Sequence, residues 1–142
     1  MQFYSTNRKT SPVSLREAVV RGLAADRGLF MPEVIRRFPP AFYQNMKEMT
    51  LREISFVVAE AFFGEDVEAG KLKEIVDETL NFDIPLVKVA DNRYSLELFH
   101  GPTLAFKDVG ARFMARLLAY FNKQEGERQV NVLVATSGDT GS

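Results

Sequence analysis

Hydrophobic positions first recur at helical spacing near the beginning of the chain. Ser14 and Glu17 are spaced as a capping box, in which each side chain accepts a hydrogen bond from the backbone of the other residue. Leu15, Val19 and Leu23 then follow one helical turn apart. The pattern predicts a helix that begins just after Ser14.

Two further helices are predicted before residue 82. Thr50 and Glu53 are spaced as a second capping box, and the helix that follows is expected to end at Gly64. Its apolar stripe comprises Leu51, Ile54, Val58 and Phe62. The apolar face of the next helix comprises Leu72, Ile75, Val76, Thr79 and Leu80. Its charged residues, Lys71, Lys73, Glu74, Asp77 and Glu78, are typical of a solvated face.

Elsewhere the hydrophobic pattern changes to that of strands. Residues 2–6 and 29–31 predict short strands, and Pro32 separates the second from any helix that follows. Farther along, apolar residues alternate on both sides of Asp91 and Asn92, which favours a hairpin.

The last part of the chain has the pattern of an α/β domain. Residues 129–135, QVNVLVA, show little alternation, as expected for a strand that is covered on both faces of a parallel sheet. The bend TSGDTGS at residues 136–142 follows where a doubly wound sheet would start its next helix. We predict an α/β fold, with a mainly helical leader over residues 1–82 and the beginning of a parallel-sheet domain over residues 83–142. Because parallel strands need covered faces, we expect a fragment of a longer chain, and a complete small domain is the alternative.

Composition excludes several functions. The 142 residues and 46% hydrophobic content suit one ordinary domain with a core. The 18 basic and 19 acidic residues nearly balance, so no surface for nucleic acid is indicated. The chain has no cysteine and no cluster of metal ligands, so neither disulfides nor a metal site are expected. The first residues lack the apolar core of a signal peptide, and no apolar run could span a bilayer, so a cytoplasmic location is expected.

One lysine, Lys107, lies at the start of a predicted helix. The segment 95–121 runs from an alternating strand through a Gly-Pro turn into a helix that should begin between Thr103 and Asp108. The positive end of the helix dipole favours Asp108 and disfavours a cation. If Phe106 and its neighbours also shield the amine from water, both effects favour a neutral lysine that can condense with an aldehyde. The alternative is an ordinary surface lysine.

The bend at residues 136–142 is a candidate anion site. Backbone N–H groups at the start of a helix can hold an anion, although glycine and hydroxyl residues also simply shape loops. The single histidine, His100, is interpreted as a packed residue and not as a catalytic group.

Several motifs together resemble the threonine synthases, a family with the second major fold (fold type II) of pyridoxal phosphate (PLP) enzymes. They are FYSTN, SLREAVVRGLAADRGLFMPE, HGPTLAFKD with GARFMARLL, and TSGDTGS. The resemblance implies a carbon–oxygen lyase that converts O-phospho-L-homoserine and water to L-threonine and phosphate. It implies that Lys107 holds PLP as a Schiff base and later acts as a base. It also implies that Ser137, Gly138 and Thr140 bind the substrate carboxylate and that Asp139 faces the 3′ oxygen of the cofactor ring.

The resemblance further implies that the cup for the cofactor phosphate lies beyond Ser142, so we expect this chain to be inactive alone. The implied partner is a small-molecule substrate, with neither nucleic acid nor membrane, and the chain could be a monomer or a dimer. The alternative function is a noncatalytic small α/β module that binds an anion or a partner through the terminal bend.

Overall fold

A computed structural model describes residues 1–124, 126, 129–138 and 140–141 of the chain. The elements, in chain order, are β1 (Gln2–Ser5), β2 (Val13–Ser14), α1 (Leu15–Arg21), β3 (Phe30–Pro32), α2 (Pro40–Asn45), a 3₁₀ turn (Met46–Glu48), α3 (Leu51–Phe63), α4 (Ala69–Thr79), β4 (Leu86–Ala90), β5 (Arg93–Leu96) and α5 (Lys107–Gln124). The chain divides into two compact units, Met1–Val76 and Asp77–Ser142. The division falls inside α4, and the leader boundary at residue 82 stays a prediction.

The first unit contains a three-stranded antiparallel sheet with β1 in the centre and β2 and β3 at its sides. Within β1, Phe3 and Ser5 are buried whereas Gln2 is exposed. This alternation is the two-residue period of a strand. Both short strands expected at the beginning of the chain are confirmed.

Side-chain caps start the helices at the predicted residues. The Glu17 N–H donates to Ser14 Oγ over 3.2 Å at the start of α1. At the start of α3 the box is complete, because the Glu53 N–H donates to Thr50 Oγ1 and the Thr50 N–H donates to the Glu53 carboxylate over 2.7 Å. Helix α2 was not expected. It begins at Pro40, whose fixed φ suits the first position of a helix, where no N–H partner is needed.

Asp26 joins two loops of the first unit. Its carboxylate accepts hydrogen bonds from Ser5 Oγ over 2.6 Å and from the backbone N–H groups of Lys9 and Gly28 over 2.9 and 3.0 Å. These donors favour the ionised form, and the pKa of Asp26 lies below its ordinary value, chiefly because of Ser5. A Cβ on Gly28 would lie 2.0 Å from Ser5 Oγ, so only glycine fits there.

The predicted hairpin forms in the second unit. β4 and β5 are antiparallel with Leu86 opposite Leu96, and Asn92 adopts a left-handed φ of 58°, which asparagine tolerates better than most residues. α5 buries Leu117 and Phe121 on one face, as its periodicity predicts.

Two arginines attach α5 to the end of α4. Arg112 Nη2 donates to the Glu78 carbonyl over 2.8 Å and to Asn81 Oδ1 over 3.0 Å, and Arg116 Nε donates to the Glu78 carboxylate over 2.8 Å. A cation at the carboxyl end of a helix is favourable, because carbonyl groups there lack helical partners. Glu78 is exposed, as expected for the charged face of α4, and it also pairs with Arg116.

The buried parallel strand expected at residues 129–135 does not form. These residues have no regular secondary structure and are exposed, Leu133 to 95%. A strand completes its backbone hydrogen bonds only against neighbouring strands, and none of the residues described in the structure pairs with this segment. Apolar content alone could not supply that partner.

Candidate active site

The loop from β5 to α5 places Lys107 at the first position of the helix. Its main feature is a tight turn in which the Leu104 N–H donates to the Gly101 carbonyl over 3.0 Å. Leu104 has a left-handed φ of 54°, a conformation that is strained for a residue with a large side chain. The helix start predicted between Thr103 and Asp108 is confirmed.

Asp108 lies next to Lys107 and is almost entirely buried, with 1% of its surface exposed. Its Oδ2 atom accepts hydrogen bonds from both the backbone N–H and the hydroxyl of Thr103, each over 2.9 Å. Gly101 passes so close that an added Cβ would lie 2.5 Å from Asp108 Oδ2. The carboxylate thus joins the first turn of α5 to the preceding loop, at the helix end where negative charge is favoured.

The side chain of Lys107 is half-buried, and its Nζ atom lies 3.5 Å from the carbonyl oxygen of Thr140. That distance is too long for a strong hydrogen bond, but it brings the amine to the terminal bend. Phe106 is 66% exposed, so its ring is not the shield considered from the sequence.

Thr136 organises the terminal bend. Its Oγ1 atom accepts hydrogen bonds from the backbone N–H groups of Gly138 and Gly141, over 3.3 and 3.0 Å. Gly138 has φ 127°, a conformation that favours glycine. Both N–H groups are thus directed at Thr136 Oγ1, and the binding of an anion by the bend stays a prediction. A hydroxyl residue before two glycines was the signal that could have indicated this turn.

The other candidate residues of the bend are open to solvent. Ser137, Gly138 and Thr140 are exposed, and Asp139 lies outside the described residues. The arrangement brings a primary amine to a turn rich in hydroxyl and backbone N–H groups. A primary amine can bind a carbonyl ligand covalently, and a turn of this kind can bind the carboxylate of a second molecule beside it.

His100 has a polar partner on its own loop. Its Nε2 atom lies 2.6 Å from a Glu97 carboxylate oxygen, and its ring lies against Phe99 with 4.8 Å between centroids. His100 is exposed, so its interpretation as a packed residue is wrong.

Among the described residues, no three histidine, cysteine or acidic side chains are grouped as metal ligands would be. Over the same part of the chain, no helix combines the length and apolar character needed to cross a bilayer.

Comparison with known proteins identifies close relatives. Residues 2–80 match the family described as threonine synthase N terminus. The chain is 41% identical over 142 residues to the threonine synthase of Serratia marcescens and 37% identical over 142 residues to that of Escherichia coli (strain K12). All of this chain aligns in both cases, with 32% of each relative. The chain therefore spans about a third of the length of these curated relatives.

Solved structures give the same result. The crystal structure of threonine synthase from Escherichia coli matches with a TM-score of 0.90 and 38% identity, over 99% of this chain and 32% of that chain. PLP-bound threonine synthase from Brucella melitensis matches with a TM-score of 0.84 and 34% identity, over 90% of this chain and 29% of that one. These matches confirm the predicted α/β fold class, that of the fold type II PLP enzymes.

Proposed function

This chain belongs to the threonine synthase family, and we propose that it forms the N-terminal third of a protein that converts O-phospho-L-homoserine and water to L-threonine and phosphate. The proposed enzyme is a carbon–oxygen lyase that acts on a phosphate ester. The observation that carries the proposal is the 3.5 Å approach of Lys107 Nζ to the bend at Thr140. It brings together the two sequence motifs on which PLP chemistry would depend.

The residues at this place fit PLP. The cofactor needs a primary amine for its aldehyde, and Lys107 extends one from the first turn of α5 towards the bend. We propose that Lys107 holds PLP covalently. When bound, PLP supplies an electron sink that stabilises negative charge on the carbon next to the substrate amino group.

The other roles belong to side chains and backbone groups of this chain. Ser137, Gly138 and Thr140 would bind the substrate carboxylate through their hydroxyl and N–H groups. The Gly138 N–H would first have to leave Thr136 Oγ1 or be shared with it. Once released, Lys107 Nζ would take up and return protons as the general base. The contact of Asp139 with the 3′ oxygen of PLP remains a prediction.

Chemical trapping tests the lysine directly. The full-length protein is incubated with PLP, reduced with borohydride, digested and analysed by mass spectrometry. We expect a visible absorption band before reduction and a phosphopyridoxyl group on Lys107 after it. Lys107→Ala should lose both signals, whereas Lys123→Ala, which changes an exposed lysine in the last turn of the same helix, should keep them.

The same experiment separates the proposal from its alternative. A colourless full-length protein that ignores PLP, or label on a different lysine, would contradict the assignment and favour a noncatalytic module.

Residues 1–142 alone are expected to fold at least in part but not to turn over substrate. The family's cup for the cofactor phosphate is expected in the remaining two thirds, and positioning of the cofactor would be incomplete without it. Phosphate release from O-phospho-L-homoserine by this chain alone would contradict that expectation.

A further inference from the structure

We propose that Asp108 is a positioning residue for the amine of Lys107. The inference rests on the proposed function, in which Lys107 is the cofactor lysine. Asp108 follows Lys107 in the first turn of α5, and its buried carboxylate is hydrogen-bonded back to the loop that leads into the helix. The carboxylate therefore determines where the helix begins relative to that loop.

The negative charge of the acceptor strengthens this contact. Both donors of Thr103, the backbone N–H and the hydroxyl, are directed at the same Oδ2 atom of Asp108. Hydrogen bonds to an ionised acceptor are about twice as strong as neutral ones, and the N-terminal end of α5 adds to the attraction. Asparagine has nearly the same shape but lacks that charge, so Asp108→Asn weakens the contact without opening a cavity.

The loop that leads into α5 packs closely against the Asp108 carboxylate. Gly101 packs against Asp108 where a methyl group would not fit, and Leu104 keeps a left-handed φ of 54°. Strained backbone of this kind persists only where its surroundings fix it. The Asp108 N–H also donates to the Ala105 carbonyl over 3.2 Å, so both the side chain and the backbone of Asp108 bond to the residues that lead into the helix.

Lys107 lies between this turn and Asp108 along the chain. If the contact to Thr103 loosens, the first turn of α5 can shift, and Lys107 Nζ moves from its place 3.5 Å from the Thr140 carbonyl. Misplacement of a reacting group by about 1 Å can lower a rate on the order of 100-fold. We expect a smaller effect, about tenfold, for loss of charge alone.

The first test measures the amine without PLP. Full-length apo protein is treated with a limiting amount of acetic anhydride, and mass spectrometry gives the acetylation of Lys107 relative to Lys123 on the same helix. General loosening of α5 would raise the acetylation of both lysines. A shift of the first turn alone would instead change the ratio of Lys107 to Lys123 acetylation. We expect Asp108→Asn to change the ratio and Asp91→Asn, a control at an exposed carboxylate of the hairpin turn, to leave it unchanged.

Variants of the partner residue test the contact from the other side. Thr103→Val removes the hydroxyl donor but keeps the N–H, so it should change the ratio in the same direction by less. Thr103→Ser keeps both donors and should behave as the unchanged protein. If Asp108→Asn does not fold, the pair of Thr103 variants decides, because a difference between them supports the proposal and equality overturns it.

The second test measures capture of PLP. We expect Asp108→Asn to slow borohydride-trapped attachment at Lys107 about tenfold and to lower kcat more than it raises KM. Folded Asp108→Asn protein with an unchanged lysine ratio and unchanged capture would overturn the proposal. If the unchanged protein attaches no PLP at Lys107 while the ratio still responds to Asp108→Asn, the positioning role stands and the proposed function fails.

Discussion

Replacing Gly101 by alanine should destabilise the start of α5 because no space exists for the added methyl group. The new Cβ would lie 2.5 Å from Asp108 Oδ2 and 2.8 Å from both Cβ and Cγ of Asp108. Ordinary carbon contacts are about 3.5–4.0 Å, and the Cβ atom of Asp108 cannot rotate away from its own backbone. Overpacking of this kind costs about 1–3 kcal/mol. If the methyl group also displaces Oδ2, the two hydrogen bonds from Thr103 to the buried carboxylate weaken. The total loss in the free energy of unfolding is then about 2–4 kcal/mol.

The assay is urea unfolding followed by circular dichroism, with extrapolation to zero denaturant. Gly110→Ala is the matched control in α5, since no atom lies within 4 Å of its added Cβ. Alanine has a higher helix propensity than glycine, so this control should stabilise the protein by about 1 kcal/mol. Equal unfolding midpoints for the two variants would refute the packing argument.

A double-mutant cycle identifies the neighbour responsible. In an Asp108→Ala background, two of the three atoms that crowd the new methyl group, Oδ2 and Cγ, are gone. The cost of Gly101→Ala should then fall by about 1 kcal/mol or more. An unchanged cost would show that Asp108 is not the limiting contact.

Three other predictions concern the first unit. Thr50→Ala removes the cap of α3, including the N–H contact of Glu53, and should lower the free energy of unfolding by about 1 kcal/mol, measured by urea titration. Leu72 has 0% of its surface exposed, so Leu72→Ala should lower the free energy of unfolding by about 2–5 kcal/mol. A loss below about 1 kcal/mol would contradict the core position of Leu72. The pKa of Asp26 lies below its ordinary value of 3.8, because the Ser5 hydroxyl and two backbone N–H groups favour the ionised form. The ionised carboxylate therefore stabilises the fold above pH 3.8, and this stabilisation is lost as the pH falls through the lowered pKa of the folded state. Asp26→Asn should therefore reduce the acid dependence of stability below pH 3.8, and identical acid limbs for the two proteins would contradict this.

The sequence was sufficient where structure depends on residues only a few positions apart. Spacing within one or two turns predicts the capping box of Thr50 and Glu53, the apolar face around Leu72 and a helix start between Thr103 and Asp108. It was insufficient at Pro40, because a proline that usually ends a helix also suits the first position of one. The apolar run at residues 129–135 was also misleading, because a strand requires partners that no local pattern supplies.

The sequence by itself therefore determined most elements, the family and the identity of the candidate lysine. Only the tertiary structure placed Lys107 near Thr140, 33 residues away, and joined Arg116 to Glu78, 38 residues away. It also showed Thr136 holding the bend and Asp108 holding Thr103 beside Gly101. The physical reason is that periodicity and caps record the neighbours along the chain, whereas a hydrogen bond or close contact between distant residues exists only once the backbone has brought them together.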